Sequence, residues 1–424
     1  MSRTSAVAFS LLLAAAVHAQ TTPPPSGAFV PPIAGYAGRY LDSAQTPNFQ
    51  GAPARTLRAQ LVKVAPERGL ILMKLSGSLF SVYNLSAFAS RVGGALSTGG
   101  HGEKYLSPDV FSVDPEHSSE WTTFATDGQD FLFDFDYDDR GYFYLAYSAW
   151  GWGIVDSAGV KISQVVSPPV TPLRIIAVRE GANVYAIISD PFSSATAVYD
   201  VTNPAAPVFL RTLPFGIASY AKLASGGVAI VLTTGVLRIY ATGGDLAAGN
   251  LPAQTFAPQP GFVYTLAATD GITIFATQRS NAPLSAFLSV LTLSGGSYVE
   301  TQYPPRPGFL PVDLHYGAGY VVVSGSTFPA PGTRTVLVYI AGSSTPSDLT
   351  AYFTAAYPSG PIGVESMAPY ASGRQTYLIA ALFGVGDVFI MSGAAAAAAI
   401  PALTPAMLLA LAIGIAAIAA WHIR

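Results

Sequence analysis

Three aspartates at alternating positions are the first residues whose type and spacing could do chemistry. In the run DGQDFLFDFDYDDRGYFYLAY (127–147), Asp134, Asp136 and Asp138 alternate with Phe133, Phe135 and Tyr137. Side chains two residues apart share a face of a strand, so the three carboxylates line one face. Asp-x-Asp-x-Asp presents hard oxygens of the kind calcium takes, which makes the trio a candidate calcium site. Against an EF-type loop, the sixth position is Asp139 rather than Gly, and no Glu stands at the twelfth. Asp138-Asp139-Arg140-Gly141 is also good turn chemistry, so a plain hairpin competes for the same residues. A catalytic carboxylate pair is the third reading.

Other reactive groups are sparse. Between the first twenty residues and the C-terminal apolar tail the chain has only His101, His117 and His315, and none stands at a zinc-ligand spacing. There is no Gly-x-Ser-x-Gly elbow, no Walker loop and no Gly-x-Gly-x-x-Gly opening a helix. A Ser-His-Asp triad needs no closeness in sequence and stays open. Glu103, Asp109, Asp114, Glu116 and Glu120 give an acidic cast to an insertion that is expected on a loop face, where binding concentrates. Tyr142, Tyr144, Tyr147, Trp150 and Trp152 are dense enough for a platform that stacks sugar or peptide, or for a packed wedge.

Composition narrows the class. The 424 residues contain no Cys, which excludes a disulfide scaffold, a thiolate metal site and a Cys nucleophile. Only 11% are charged and the net charge is −3, which does not fit a nucleic-acid footprint. Half the residues are hydrophobic and 12% aromatic, enough to bury a substantial core.

The elements that must position these residues are strands. Between Gly35 and Gly393, short apolar runs of period two are broken by Gly, Pro, Ser and Asn, an all-β pattern. Seven segments read as one recurring strand: 78–86, 151–159, 195–203, 235–243, 285–295, 334–342 and 386–393. After the first long interval they recur about every 40 to 50 residues, the length of a four-stranded propeller blade. The runs before several of them, Val228–Leu232, Tyr320–Val323 and Tyr377–Ala380, are nearly continuous and apolar, as strands buried on both faces are. The last repeat lacks a fourth strand, and Gly38–Asp42 has no blade of its own, so the two are expected to pair and close the ring.

One repeat carries a family likeness. VYDVTNPAAPVFLRTL (198–213) resembles the LVIVD repeat of secreted bacterial propellers, with Tyr199, Asp200, Val201, Asn203, Pro204 and Pro207 at the matching positions. In physical terms Asn203-Pro204 turns the chain, and Pro207 begins an edge strand where no donor is needed.

The two ends read as addresses. Arg3, the apolar stretch Val7–Val17 and Val17-His18-Ala19 form a secretory signal with cleavage between Ala19 and Gln20. Pro23, Pro24, Pro25, Pro31 and Pro32 then stiffen a linker. At the other end, Pro405–Trp421 carries no charge and reaches roughly 25 Å as a helix, with Trp421 placed as an interfacial aromatic and His422 and Arg424 as a basic end. Ile400-Pro401-Ala402-Leu403-Thr404 ahead of this helix resembles the IPTL-CTERM sorting tail of Gram-negative surface proteins, departing at Ala402 and Thr404 and carrying one Arg where several are usual. The resemblance implies an exosortase-like transpeptidase as partner, which would cut near the tail and pass the ectodomain to the cell surface. A permanent transmembrane anchor and a GPI signal are the alternatives.

The reading is therefore a signal peptide (1–19), a Pro-rich linker (20–34), a β-propeller (35–393), an Ala linker (394–399) and a sorting or transmembrane tail (400–424). The propeller is expected to have seven blades, with six and eight as neighbouring counts. Its expected role is binding or envelope structure, with a protein or glycan ligand, calcium as the one cofactor considered and no nucleic acid. A secreted propeller hydrolase or lyase acting on extracellular polymer is the competing class.

Overall fold

The computed structural model describes residues 33–41, 61–74, 79–88, 103–105, 110–113, 120–122, 132–148, 150–328, 334–340, 342–350, 364–372, 375–382 and 385–391. The signal, most of the linker, His101, His117, the Ala linker and the sorting tail lie outside them. Among the described residues no helix is long and apolar enough to cross a membrane.

The described strands form seven sheets. Their innermost strands are Leu61–Ala65, Leu132–Tyr137, Arg174–Glu180, Ile217–Lys222, Val263–Thr269, Phe309–Gly317 and Val364–Ser372. Each packs beside the next, and the last packs on the first, so the chain is a β-propeller. Within each sheet the first three strands follow as an antiparallel meander from the axis outward. The meander needs only tight turns, and the glycines sit where such turns demand them. Gly141 (φ 103°) closes the hairpin after Asp138, and Gly235 (φ 79°) closes the one between Val228–Leu232 and Leu237–Tyr240.

The repeated segments occupy one structural position. Phe80–Asn84, Gly151–Val155, Thr196–Asp200, Leu237–Tyr240, Leu284–Ser294, Arg334–Ile340 and Val385–Met391 are each the third strand from the axis. Second strands such as Phe143–Tyr147 and Val228–Leu232 are buried along their whole length, as their unbroken apolar runs require. The outer strand Val208–Leu213 is exposed except at its end, and it begins one residue after Pro207.

The last sheet is completed from the other end of the chain. Ile33–Leu41 pairs antiparallel with Val385–Met391, with Arg39 opposite Asp387 and Ile33 opposite Met391. This strand starts two residues ahead of the linker boundary read from composition, directly after Pro32, the last residue that could not donate to the ladder. Its other edge is taken by Glu103–Tyr105, running parallel. That short strand comes from the acidic insertion, so this part of the insertion lies in a sheet and not on a loop face.

The core is a set of wedges between neighbouring sheets. Trp152, Tyr144 and Tyr199 fill the one between the second and third sheets, and Tyr147, Trp150 and Trp121 belong to the one before it. Tyr144 and Trp152 are fully buried. The aromatic density near residue 147 therefore builds wedges and offers no open stacking platform.

Candidate functional site

The inner strands enclose a cavity of about 560 Å³, lined from six of the seven sheets. Asp134 and Asp136 point into it from the second inner strand, and both are almost completely buried. Each carboxylate is divided in the same way. The Asp134 Oδ1 atom lies 2.8 Å from Lys63 Nζ, while Oδ2 accepts the Ile175 N–H at 3.2 Å. The Asp136 Oδ1 atom lies 2.8 Å from Lys222 Nζ, while Oδ2 accepts the Ala177 N–H at 2.8 Å. One oxygen of each thus holds the next sheet by its main chain, and the other holds a cation in the cavity.

The lysines are held as firmly as the acids. Lys63 Nζ also donates to Phe135 O at 2.5 Å and to the Tyr220 hydroxyl at 3.1 Å, which uses all three of its protons. Lys222 Nζ donates to Tyr137 O at 2.9 Å and sits 4.6 Å above the Tyr137 ring. Burial first, then the charges of Asp136 and Asp134, push the Tyr220 hydroxyl well above its ordinary pKa, so it stays a neutral phenol.

Asp138 does different work. The strand ends at Tyr137, and Asp138 turns into the hairpin, where Oδ1 accepts the N–H groups of Arg140 and Tyr142. Oδ2 takes the Arg140 guanidinium and the Tyr144 hydroxyl, each at 2.8 Å. Arg140 in turn donates to the carbonyls of Val201 and Thr202 in the third sheet. Asp138 is the pivot of a clamp between two sheets, and the Asp138–Gly141 turn expected from sequence is present.

The calcium reading meets this geometry badly. The aspartates do not converge, because each carboxylate faces its own cation, and calcium would have to displace lysines and main-chain donors from occupied oxygens. Among the described residues no group of three or more His, Cys, Asp or Glu could hold a metal ion. The trio is a set of ion pairs and a turn.

His315 does meet a serine and an aspartate. Its Nε2 atom lies 3.2 Å from Ser366 Oγ and 3.2 Å from Asp313 Oδ1. A catalytic triad needs the two partners on opposite ring nitrogens, so that one orients the ring while the other receives a proton. Here both stand at Nε2, and Ser366 is fully buried, bonded to both the N–H and the carbonyl of Val62. The three residues join the sixth, seventh and first sheets and form no nucleophile-base pair.

The residues that sequence reasoning missed are Lys63, Tyr220, Lys222 and Arg174. A faint signal existed. Lysines inside the strand runs LVKVA and IASYAK are out of place for a buried strand unless a carboxylate meets them.

The ring of sheets around a central cavity defines a β-propeller, and solved structures agree on the fold. The chain is similar to Chaetomium thermophilum Raptor, with 8% identity and a TM-score of 0.54 over 86% of this chain and 30% of that one. It is also similar to the β-propeller domain of Cps50 (Swd1) from Myceliophteria thermophila, with 10% identity and a TM-score of 0.53, covering 79% of this chain and 96% of that one. The chain thus spans under a third of the Raptor chain. No family model and no curated protein matches the sequence.

Proposed function

We propose that this is an exported, surface-sorted, seven-bladed propeller that acts as a binding or envelope-structural protein through its central cavity. The observation that carries the binding part is the cavity itself, concave and lined by fixed polar groups on rigid strands. Export rests on the sequence alone: Arg3, Val7–Val17 and the Val17-His18-Ala19 cleavage site, with Ile400, Pro401, Ala402 and Leu403 ahead of an apolar tail. The LVIVD-like blade at 198–213 belongs to the same picture of a secreted bacterial propeller. An exosortase-like transpeptidase is the partner proposed for sorting.

The hydrolase alternative draws no support from His315, whose two partners share one nitrogen. Mass spectrometry of protein released from the cell surface tests the sorting route. The expected form begins at Gln20 and lacks the apolar tail. A surface form that still ends at Arg424 would leave a permanent anchor instead.

A further inference from the structure

We propose that the Arg174 side of the cavity binds a small organic carboxylate. The inference deepens the binding role proposed above, rests on it, and names the chemistry of the ligand. Arg174 opens the third inner strand and lines the cavity. Its Nε donates to Ala218 O at 3.1 Å, which fixes the side chain against the fourth sheet. Its Nη1 and Nη2 atoms make no hydrogen bond to any described residue. A guanidinium carries five N–H donors, so four of them are left for something else.

Charge bookkeeping singles out the same residue. Of the other cations lining the cavity, Lys63 and Lys222 are each neutralised by their own aspartate at 2.8 Å, His315 stands against Asp313, and Lys74 is engaged, with its ammonium 5.5 Å from the Phe133 ring. No carboxylate is paired with Arg174 among the described residues. A planar fork with free N–H groups matches a carboxylate in a bidentate geometry.

Size and lining set the rest of the ligand. About 560 Å³ falls within the roughly 300–1,000 Å³ typical of small-molecule sites. Phe133 and Val312 also line the cavity and remain 36% and 44% exposed, which gives an apolar wall to cover an apolar body. A polymer threaded along the axis is disfavoured, because Lys63 and Tyr220 are bonded to one another across the ring.

The test uses the full chain titrated by calorimetry with acetate, phenylacetate and succinate, and with phenylacetamide as the neutral counterpart of phenylacetate. Phenylacetate is expected to bind at least about tenfold more tightly than the amide, because a buried charge-assisted pair is lost in the amide. Arg174→Gln is expected to remove that preference, and Arg174→Lys to restore only part of it, because a lysine cannot fork. Circular dichroism and melting of both variants check that the fold is kept. Equal binding of acid and amide, unchanged phenylacetate binding in Arg174→Gln, or no binding of any of the three acids at millimolar concentration would each overturn the assignment. Surface fractionation is independent of Arg174, so failure of the carboxylate and failure of the surface-protein reading appear in different experiments.

Discussion

Lys63 and Tyr220 meet across the ring, 3.1 Å apart, from the first and fourth inner strands and 157 positions apart in sequence. The same ammonium holds Asp134 Oδ1 and Phe135 O. Three sheets are therefore tied at a single nitrogen. Lys222 repeats the device one step along, with Asp136 and Tyr137 O.

Asp134→Asn should cost about 3 kcal/mol, because removing one partner of a buried pair leaves the other charge uncompensated. Lys63→Met should cost at least as much, because it leaves the more deeply buried partner, the Asp134 carboxylate, with only the Ile175 N–H. Urea denaturation of both single variants and the double variant checks this. If the two losses simply add, the pair contributes no coupling.

Calcium should leave the melting temperature unchanged. A ligand held at one hundred times its Kd stabilises by about 2.7 kcal/mol, which is readily measured. Because the Asp134 and Asp136 oxygens are already occupied, millimolar calcium and a chelator are expected to give the same melting curve. A calcium-dependent rise that vanishes in Asp136→Ala would restore the metal site.

Acid should loosen the junction between the sixth and seventh sheets. Burial alone would raise the Asp313 pKa, but His315, the Met367 N–H and Ser366 outweigh it and hold the carboxyl below its ordinary range. A carboxylate depressed in the folded state stabilises fully above its unfolded value, about 3.9, and the gain disappears as pH falls through the folded value. His315→Gln removes one of the groups that hold it down, so the acid-unfolding midpoint should move to higher pH. Identical midpoints, followed by tryptophan fluorescence, would show that His315 does not govern this junction.

Deleting Ile33–Leu41 should cost several kcal/mol, a large share of the roughly 5–15 kcal/mol that stabilises a domain. The deletion removes the outer ladder of Val385–Met391, keeps the inner one to Gln375–Leu382, and leaves two open edges, so aggregation should follow. Deleting 21–30, rich in Pro and ahead of the strand, should change the melting temperature little. Equal melting of the two truncations would contradict the closure.

What the sequence discloses depends on how local the signal is. Third strands such as Thr196–Asp200 are legible because an apolar run ends in a turn residue within a few positions, and that unit recurs. The closing strand is legible by elimination, since one sheet lacks an edge and one strand lacks a sheet. Inner strands are harder, because they face a polar cavity on one side and mix Lys, Ser and Tyr into the pattern, as Ile217–Lys222 does. The partner of Asp134 is hidden from the sequence for a related reason. Strand alternation correctly puts it on a face with Asp136, but nothing near residue 134 reveals that Lys63 is waiting. Glu103–Tyr105 is three residues long, too short for any periodicity to mark it as a strand.

Ile33 lies directly opposite Met391, and paired strands bring such residues to within about 5 Å of each other. The ring consequently has no topologically privileged starting point. A short loop joining these two positions, with the chain reopened at the tight turn around Gly226 and Gly227, would leave every sheet with the strands it has now. A circular permutant of this kind would place both new ends between the strands Ile217–Lys222 and Val228–Leu232, and would dispense with the residues before Ile33 and after Met391.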